Sequence, residues 1–351
     1  MGHGSPQCEE EDRKDPGLRA LPLRAGELPD GGIASEGRFE RQPQVDSRGP
    51  LRPAGKEYFM KRMLIAALAL CFAAPLFARD VEAIVTADWL EANLSNPKVV
   101  VVDVRKVEEY KAAHIKGAVN VLGSSLYVPA AGLSNELPNA DDLSDILADA
   151  GIDASSIVVV VESDSAARFA WATRVAWTLA WAGLDNVAVL SGGQKAWTDA
   201  KKPVDADKVA KAATKFSVKP RNEYLALLGD VLKSKGQVID NRTYDTYFGI
   251  VKQGFVAQAG HYPNAIALPS SWIVGADGLV KSQTELAKMP VLLGLDPSVD
   301  TITYCDSGVL ATGWWWILHE QLGWKNVKSY DGSSQDLTKD PSVKYVTHVW
   351  K

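Results

Sequence analysis

The chain consists of two halves that follow the same plan, and this internal repeat restricts its fold more than any other feature. In the first half, "KVVVVDVR" is followed by "AAHIKGAVNV", "SSIVVVVESDS" and "NVAVLSGGQKAW". In the second half, "QVIDNR" is followed by "AGHYPNAIAL", "DTITYCDSG" and "NVKSYDGSSQDL". The repeat predicts two domains, at 80–200 and 221–351, joined by a linker at 201–220.

Within each half, apolar runs alternate with amphipathic stretches. Runs such as "VVVVDV" and "IVVVV" are apolar at nearly every position, which is typical of strands buried on both faces of a parallel sheet. Stretches such as "TADWLEANL", which Thr86 can cap, and "NADDLSDILADAG" have helical periodicity. The pattern predicts an α/β fold in which each domain has a mainly parallel central sheet with helices on both faces.

The N-terminal region differs from the rest of the chain. Residues 1–59 are rich in Gly, Pro, Arg and Glu and lack apolar periodicity, so we expect a disordered extension, explained by a true translation start at Met60 or Met63. Residues 60–78 combine a basic start, a short apolar run and a final small residue, Ala78, as a secretory signal peptide does. A single anchoring helix is the alternative, which the short run disfavours. We therefore expect a periplasmic or secreted protein with no stable membrane association after cleavage.

Cysteine usage follows from this processing. Cys8 lies in the extension and Cys71 in the signal peptide, so Cys305 is the one cysteine of the predicted mature chain. Lipidation of Cys71 is disfavoured because Leu70 precedes it where a small residue would be expected. A lone thiol in an oxidising compartment is a liability unless it has a use. The alternative role for Cys305 is that of a small buried hydrophobe.

Composition disfavours two classes of function. The net charge is −5 and there is no basic stripe, so nucleic-acid binding has little support. The five histidines lie near no Cys or carboxylate cluster with ligand spacing, so we expect no metal site.

Cys305 lies at the junction of a predicted strand, "TITYC", and a predicted helix, "SGVLATGWWWILHEQLGW". This junction is at the carboxyl end of the strand, where sites form in open α/β sheets. Backbone N–H groups in the turn and at the helix N-terminus create a positive field, which we expect to favour the nucleophilic thiolate and to hold a persulfide anion. The tryptophans at 314–316 are expected to pack in the core, and stacking on a ligand is the alternative.

Over residues 82–343 the chain resembles the tandem rhodanese-family sulfurtransferases. The match rests on "DVRKVEEYKAAHIKGAVNV", on "CDSGVLA", which resembles the six-residue active loop, and on "YDGSSQDLTKDP", which resembles the closing motif although Ser334 stands where a tryptophan is usual. The resemblance implies two rhodanese-like domains and sulfur transfer through a Cys305 persulfide. It implies a small-molecule sulfur donor and a thiol or cyanide acceptor, no metal or organic cofactor, and no particular protein partner.

The first domain is expected to be inactive. Glu162, in "VVVVESD", holds the place that Cys305 holds in the second domain, and a carboxylate cannot accept sulfane sulfur as a thiolate does. The first domain would then be structural and form a wall of the cleft. A catalytic role for the Glu162 carboxylate is the alternative.

The resemblance also implies a set of substrate-binding residues. They are Asp306, Gly308, Val309 and Leu310 in the loop, Arg174 in "ATRVAW" and Arg242 in "DNR". Arg174 is a candidate anion contact, and a solvated helix charge is the alternative. Arg105 and Arg242 are more simply structural partners of nearby carboxylates such as Glu109, with substrate contact the alternative for Arg242.

The loop also predicts the donor. Family members that use 3-mercaptopyruvate carry Cys-Gly-Ser-Gly-Val, whereas those that use thiosulfate carry Arg and Lys after the cysteine. Here Asp306 and Ser307 follow Cys305 and no basic residue is present, so 3-mercaptopyruvate is expected to be favoured over thiosulfate.

In the mercaptopyruvate type, a loop serine is proposed to join a histidine and an aspartate of the first domain. By position these residues are Ser307, His114 and Asp103, which could form a proton relay to the departing enolate. The alternative is that His114 and Asp103 only fix their turn. The alternative to an enzyme is a non-catalytic persulfide carrier or sulfur-binding module that serves a partner protein. A cysteine phosphatase is rejected, because its arginine position holds Ala311.

Overall fold

The structure, a computed structural model, describes residues 79–163 and 165–348. These residues form one compact unit. The predicted extension and signal peptide, with Cys8 and Cys71, lie outside the described residues. Across the described ranges, no helix has both the length and the apolar character needed to span a membrane. Within the same ranges, no three His, Cys, Asp or Glu side chains are grouped so that they could hold a metal ion.

The first domain is built on a five-stranded parallel sheet. Its elements are β1 Ile84–Val85, α1 Ala87–Asn93, β2 Val99–Asp103, α2 Val107–Ala112, β3 His114–Ile115, β4 Val119–Asn120, β5 Val128–Ala130, β6 Leu133–Glu136, α3 Ala140–Asp149, β7 Ile157–Val161, α4 Ser165–Trp181, β8 Val187–Leu190, α5 Gly193–Asp199 and β9 Val204–Asp205. The strand order is β1-β8-β7-β2-β4, and each neighbouring pair is parallel. Every residue of β2 and β7 is buried, as their uninterrupted apolar runs predicted.

Two smaller antiparallel pairs complete the first domain. Strand β3 pairs with β9, and β5 pairs with β6. We refer to residues 128–136, which comprise β5, β6 and their turn, as the first-domain hairpin. Thr86 caps α1 as predicted, because its hydroxyl accepts a hydrogen bond from the Trp89 N–H at 3.1 Å.

The second domain repeats the first. Its elements are β10 Leu225–Ala226, α6 Leu228–Lys233, β11 Gln237–Asp240, α7 Tyr244–Tyr247, β12 Ile266–Ala267, α8 Gln283–Leu292, β13 Thr301–Tyr304, α9 Leu310–Trp315, a π-helical continuation Trp316–Gln321, β14 Val327–Tyr330 and α10 Ser333–Leu337. The strand order β10-β14-β13-β11-β12 is that of the first sheet, and all its pairs are parallel. The prediction of two α/β domains with parallel central sheets is confirmed.

The register of the two sheets places two side chains at equivalent points. Asp103 pairs with Val161 in the first sheet, and Asp240 pairs with Tyr304 in the second. Glu162 and Cys305 are therefore the first residues beyond equivalent strands, as the repeat predicted.

The two domains share a hydrophobic core. Helices α4 and α9 pack against each other, and the Trp177 ring meets the Trp315 ring edge-on at 6.4 Å between centroids. The tryptophans at 314–316 are fully buried, and each indole N–H donates to a backbone carbonyl at 2.9 to 3.0 Å: those of Pro269, Val327 and Ala83. The prediction that they pack in the core is confirmed, because each ring is enclosed and each polar atom has a protein partner.

The predicted linker at 201–220 runs along the first domain. Its first part contains β9, which pairs with β3. Further on, the Thr214 N–H donates to the Ala148 carbonyl at 3.0 Å and the Lys219 N–H to the Ala182 carbonyl at 2.9 Å. The segment is thus held against the domain by hydrogen bonds.

Candidate active site

Cys305 is the first residue after β13, at the carboxyl edge of the second sheet. Its side chain is a free thiol and is 1% exposed. The chain then turns through Gly308, at a φ of +78°, into α9. A Cβ at Gly308 would stand 2.5 Å from the carbonyl oxygen of Asp331, so glycine is required for this loop to approach β14.

Ser333, at the start of α10, forms hydrogen bonds with both ends of the loop. Its hydroxyl oxygen accepts hydrogen bonds from the backbone N–H groups of Cys305 and Gly308, both at 3.1 Å. The hydroxyl donates to the Tyr330 carbonyl at 2.8 Å and lies 3.8 Å from the Cys305 Sγ. One buried side chain therefore fixes the first and last residues of the turn around the thiol.

The protonation of the thiol differs from the expectation. Burial raises the pKa of Cys305 above its ordinary value, and the negative charge of Asp306 raises it further. Hydrogen bonds from the backbone N–H groups of Ala311 and Ser307, and the nearby Ser333 hydroxyl, lower that pKa but do not cancel the rise. The predicted positive field is therefore present and acts in the expected direction, but burial and Asp306 outweigh it in the pKa of Cys305.

Arg242 reaches the loop from the end of β11. Its guanidinium bonds the Asp240 carboxylate at 2.6 Å and the Gly260 carbonyl at 2.7 Å, and it lies 3.4 Å from the Asp306 carboxylate. Burial raises the pKa of Asp306, and the charge of Arg242 lowers it. Arg242, 1% exposed, therefore offsets part of the negative charge that the sequence placed beside the cysteine.

Arg105 occupies the equivalent position in the first domain. It bonds the Asp103 carboxylate at 2.6 Å and the Ala113 carbonyl at 2.7 Å. Glu109 instead accepts a hydrogen bond from the Lys106 N–H at 3.2 Å. The predicted structural role is thus observed, but the carboxylate partner is that of the Asp-x-Arg motif itself, and the expected pairing with Glu109 is wrong.

His114 also has a counterpart in the second domain. Its ring stacks on Tyr110 at 3.7 Å, and His261 stacks on Tyr247 at 3.7 Å. In each pair, the histidine Nδ1 contacts the carbonyl oxygen of the same tyrosine at 2.8 Å. The same arrangement occurs in a domain with the cysteine and in one without it, which favours the interpretation that His114 fixes its turn.

The three residues of the predicted relay have separate partners. Asp103 pairs with Arg105, and His114 is enclosed against Tyr110. Ser307 accepts a hydrogen bond from the side chain of Asn135 in the first-domain hairpin at 3.0 Å. Among the described residues, no hydrogen bond joins Ser307, His114 and Asp103, so the structure does not assemble the relay.

Arg174 is fully buried between the domains. Its guanidinium forms an ion pair with Asp331, at the end of β14, and lies 3.4 Å from the Gly308 carbonyl. It also lies over the Trp177 ring at 4.9 Å. The alternative of a solvated helix charge is wrong. The anion that Arg174 meets is a carboxylate of the protein, directly behind the active loop.

The last two predicted loop residues, Val309 and Leu310, lie at the N-terminus of α9. Val309 is buried, and its carbonyl accepts a hydrogen bond from the Thr312 hydroxyl at 2.7 Å. Leu310 is half-buried. Thr312 in turn meets Thr173 of the first domain at 3.2 Å between hydroxyl oxygens, so the start of α9 is fixed from both domains.

Glu162 is buried in the first domain. Its carboxylate accepts a hydrogen bond from the Ser163 hydroxyl at 2.7 Å and pairs with Arg168 at 3.2 Å. Both of these partners are therefore side chains of the first domain that follow β7.

Sequence reasoning missed two residues of this site. Ser333 stands in the quoted "YDGSSQDL". The available signal was its alignment with Gly193 of the first repeat, a position at which both residues have a positive φ in the structure. Asn135 has no signal in the sequence, because its relevance depends on how the first-domain hairpin lies over the second domain.

Comparison with known proteins gives consistent matches. The rhodanese-like domain family matches at residues 86–200 and at 222–340. A "Putative thiosulfate sulfurtransferase" of Mycolicibacterium smegmatis is 33% identical over 263 residues, which cover 72% of this chain and 93% of that protein. A protein of the same name from Haloferax volcanii is 30% identical over 273 residues, 73% of this chain and 93% of the relative.

Solved structures match both domains together. The 3-mercaptopyruvate sulfurtransferase SseA from Escherichia coli superposes with a TM-score of 0.64 at 25% identity, covering 72% of this chain and 99% of that one. The anaerobic ergothioneine biosynthesis enzyme from Chlorobium limicola superposes with a TM-score of 0.67 at 24% identity, covering 76% and 70%. The second likeness shows the fold alone.

Proposed function

This chain belongs to the rhodanese family, with two rhodanese-like domains, and is a sulfurtransferase; we propose that it transfers sulfur through a persulfide on Cys305. The observation that carries the proposal is the position of the free thiol, at the end of β13, where it accepts hydrogen bonds from the backbone N–H groups of Ser307 and Ala311. Such donors would stabilise the negative charge of a persulfide.

The reaction takes two steps. Cys305 Sγ, as the thiolate, attacks the sulfur that will be transferred, which is the thiol sulfur of 3-mercaptopyruvate or the outer sulfur of thiosulfate, and an S–S bond forms. The bond between that sulfur and the rest of the donor breaks, and its electron pair leaves with pyruvate enolate or, from thiosulfate, with sulfite. An acceptor thiolate or cyanide then attacks the outer sulfur, and the Cys305 thiolate leaves.

Mass spectrometry tests this pathway. Incubation with 3-mercaptopyruvate should add one sulfur atom at Cys305, and Cys305→Ser should lose both the adduct and turnover. Glu162→Gln is the matched control, and should stay within a few-fold of the parent because Glu162 lies at the equivalent point of the domain without a cysteine. Sulfur found at another residue, or an active Cys305→Ser variant, would contradict the proposal.

The proposed donor is 3-mercaptopyruvate. Thiosulfate is a dianion and needs positive charge beside the cysteine. The two arginines that contact the active loop in the described residues already have carboxylate partners: Arg242 pairs with Asp240 and Asp306, and Arg174 pairs with Asp331. 3-Mercaptopyruvate carries one carboxylate, remote from its sulfur, and therefore interacts less unfavourably with Asp306.

Steady-state kinetics test the donor. The parent should have a higher kcat/KM for 3-mercaptopyruvate than for thiosulfate. Asp306→Arg should improve the use of thiosulfate, with Asp306→Asn separating the loss of negative charge from the gain of positive charge. A parent that prefers thiosulfate would refute the electrostatic argument.

A non-catalytic persulfide carrier is the alternative function. Delivery of sulfur to a partner protein requires the persulfide to be reached by a protein nucleophile. Cys305 is 1% exposed, which favours small donors and acceptors. Multiple turnovers with 3-mercaptopyruvate and a small thiol would support the catalytic function. A single loading of Cys305 without turnover would support the carrier function.

Export completes the proposal. The basic start, short apolar run and Ala78 of residues 60–78 support cleavage just before Arg79 and a periplasmic or secreted location. Expression from Met60 in a bacterium with a periplasm should give a cleaved, exported protein, detected by N-terminal sequencing of the periplasmic fraction. Uncleaved protein in the membrane fraction would favour the anchoring helix.

A further inference from the structure

The first-domain hairpin lies over the active loop of the second domain. The Ser134 N–H donates to the Gln335 side-chain oxygen at 3.1 Å, and the Leu137 N–H, one residue past the hairpin, donates to the Asp331 carboxylate at 3.1 Å. The Asn135 side chain contacts the loop itself. Its Nδ2 donates to the Ser307 hydroxyl oxygen at 3.0 Å and to the Ser307 carbonyl oxygen at 3.2 Å.

These two contacts fix the orientation of the amide. A backbone carbonyl oxygen can only accept, so the group of Asn135 that faces it must be the NH₂ group and not the amide oxygen. The same NH₂ group therefore donates to the Ser307 hydroxyl. With that lone pair occupied, the hydroxyl proton of Ser307 points away from Asn135.

An amide also limits what Ser307 can do. Unlike an imidazole, the Asn135 NH₂ group does not take up a proton at neutral pH, so no proton passes from Ser307 to Asn135. Ser307 is held as a hydrogen-bond donor with its proton retained. This role differs from that of a proton relay through His114 and Asp103, whose side chains contact the Tyr110 carbonyl and Arg105 instead.

We propose that Asn135 is a positioning residue that holds the Ser307 hydroxyl so that it donates to the leaving group of the sulfur donor. The inference rests on the proposed Cys305 persulfide. As the C–S bond of 3-mercaptopyruvate or the S–S bond of thiosulfate breaks, negative charge develops on the enolate oxygen or on sulfite, and the Ser307 O–H stabilises it without giving up its proton. The enolate then takes its proton from water.

The proposal assigns the effect to one half-reaction. The leaving group exists only while Cys305 is being loaded, and the acceptor step has no such oxyanion. Loss of one oriented donor to a developing oxyanion typically slows a reaction by about 10²-fold. Loading should therefore slow in Asn135 variants, whereas transfer from a preformed persulfide to a thiol should not.

Single-turnover kinetics with 3-mercaptopyruvate, followed by quenching and intact mass, test this. Asn135→Asp keeps the shape of the side chain but places an acceptor beside Ser307, which would draw its proton away from the substrate. We expect loading to slow by about 100-fold, close to the effect of Ser307→Ala. Added to Ser307→Ala, Asn135→Asp should cause no further loss. Ser134→Ala, the neighbouring change on the same hairpin, should load at the parent rate.

If the parent loads sulfur on Cys305, any of three results would overturn the inference. The first is an Asn135→Asp variant that loads as fast as the parent, and the second is a double variant in which the two losses multiply. The third is an Asn135→Asp variant in which loading and acceptor transfer slow equally. The last would mean that the hairpin merely supports the fold. A parent that gains no sulfur on Cys305 would instead overturn the persulfide proposal and this inference with it.

Discussion

The Ser333 hydroxyl binds the N–H groups of Cys305 and Gly308, although Ser333 itself is held at a left-handed φ of +49°. Its counterpart Gly193 has a φ of +57°, and a Cβ there would stand 2.2 Å from the Glu162 carbonyl oxygen. The first domain thus requires glycine at this point. The second domain accommodates a serine because its loop is shaped around the hydroxyl.

Ser333→Ala removes the hydroxyl and keeps the left-handed strain. Two buried N–H groups would lose their partner, so we expect a loss of about 1–3 kcal/mol in the free energy of unfolding, measured by denaturant titration, and slower loading of Cys305. Ser333→Gly should lose less stability, because glycine relieves roughly 1 kcal/mol of backbone strain. Equal stability of all three proteins would contradict this role.

The reactivity of Cys305 should follow its raised pKa. Because the thiolate is the reactive form and burial with Asp306 favours the thiol, alkylation by iodoacetamide should keep rising with pH beyond the ordinary thiol range. Asp306→Asn removes the neighbouring negative charge and should shift the whole rate profile to lower pH. A parent rate that levels off below pH 8 would show that the thiolate is already stabilised in the free enzyme.

At the scale of elements, the active loop depends on how closely it passes β14. Gly308 combines a positive φ of +78° with a Cβ position 2.5 Å from the Asp331 carbonyl oxygen. Gly323, after the π-helical stretch, has a similar φ of +75° but open space around its Cβ position. A side chain at Gly323 would meet backbone strain alone, whereas a side chain at Gly308 would meet the same strain and a steric clash. Comparing the two positions therefore distinguishes the two effects within one domain.

Alanine at each position should give different results. Gly323→Ala should cost about 1–2 kcal/mol of stability, the strain of a left-handed residue, and leave sulfur loading unchanged. Gly308→Ala should cost more than Gly323→Ala and abolish loading, because the loop must move away from β14. Thermal unfolding and the Cys305 mass shift measure the two effects, and similar behaviour of both variants would refute the steric argument.

At the scale of the whole molecule, the interface between the domains contains buried charge. Arg174 pairs with Asp331, and Glu136 of the first-domain hairpin lies nearby. Burial, followed by the charge of Asp331, raises the pKa of Glu136 to about 7. The charge of Asp336 also raises this pKa, whereas Arg174 and Lys339 lower it. Closing the domains over each other therefore favours a protonated Glu136.

This pKa predicts how stability depends on pH. Between its ordinary pKa near 4.5 and about 7, Glu136 holds its proton in the folded state and loses it in the unfolded chain, so its contribution to stability falls as pH rises. Glu136→Gln removes the titrating carboxyl group and with it this dependence of stability on pH. Its Tm should exceed that of the parent at pH 8, and the difference should shrink towards pH 4.5, with the exposed Glu108→Gln as control. A difference in Tm that is constant with pH would refute the prediction.

The sequence by itself determined the features that depend on local pattern and on the repeat. The apolar runs predicted the buried parallel strands, and the alignment of the halves placed Glu162 and Cys305 beyond equivalent strands. These features are readable because the period of apolar residues and the order of motifs are properties of short segments.

Only the tertiary structure decided the chemistry around the thiol. Asn135 meets Ser307 across 172 positions of sequence, and Arg174 meets Asp331 across 157. The raised pKa of Cys305 likewise follows from enclosure by the fold, which outweighs the local turn field that the sequence predicted. Burial and contacts between distant segments arise only when the two domains pack together, so no local pattern encodes them.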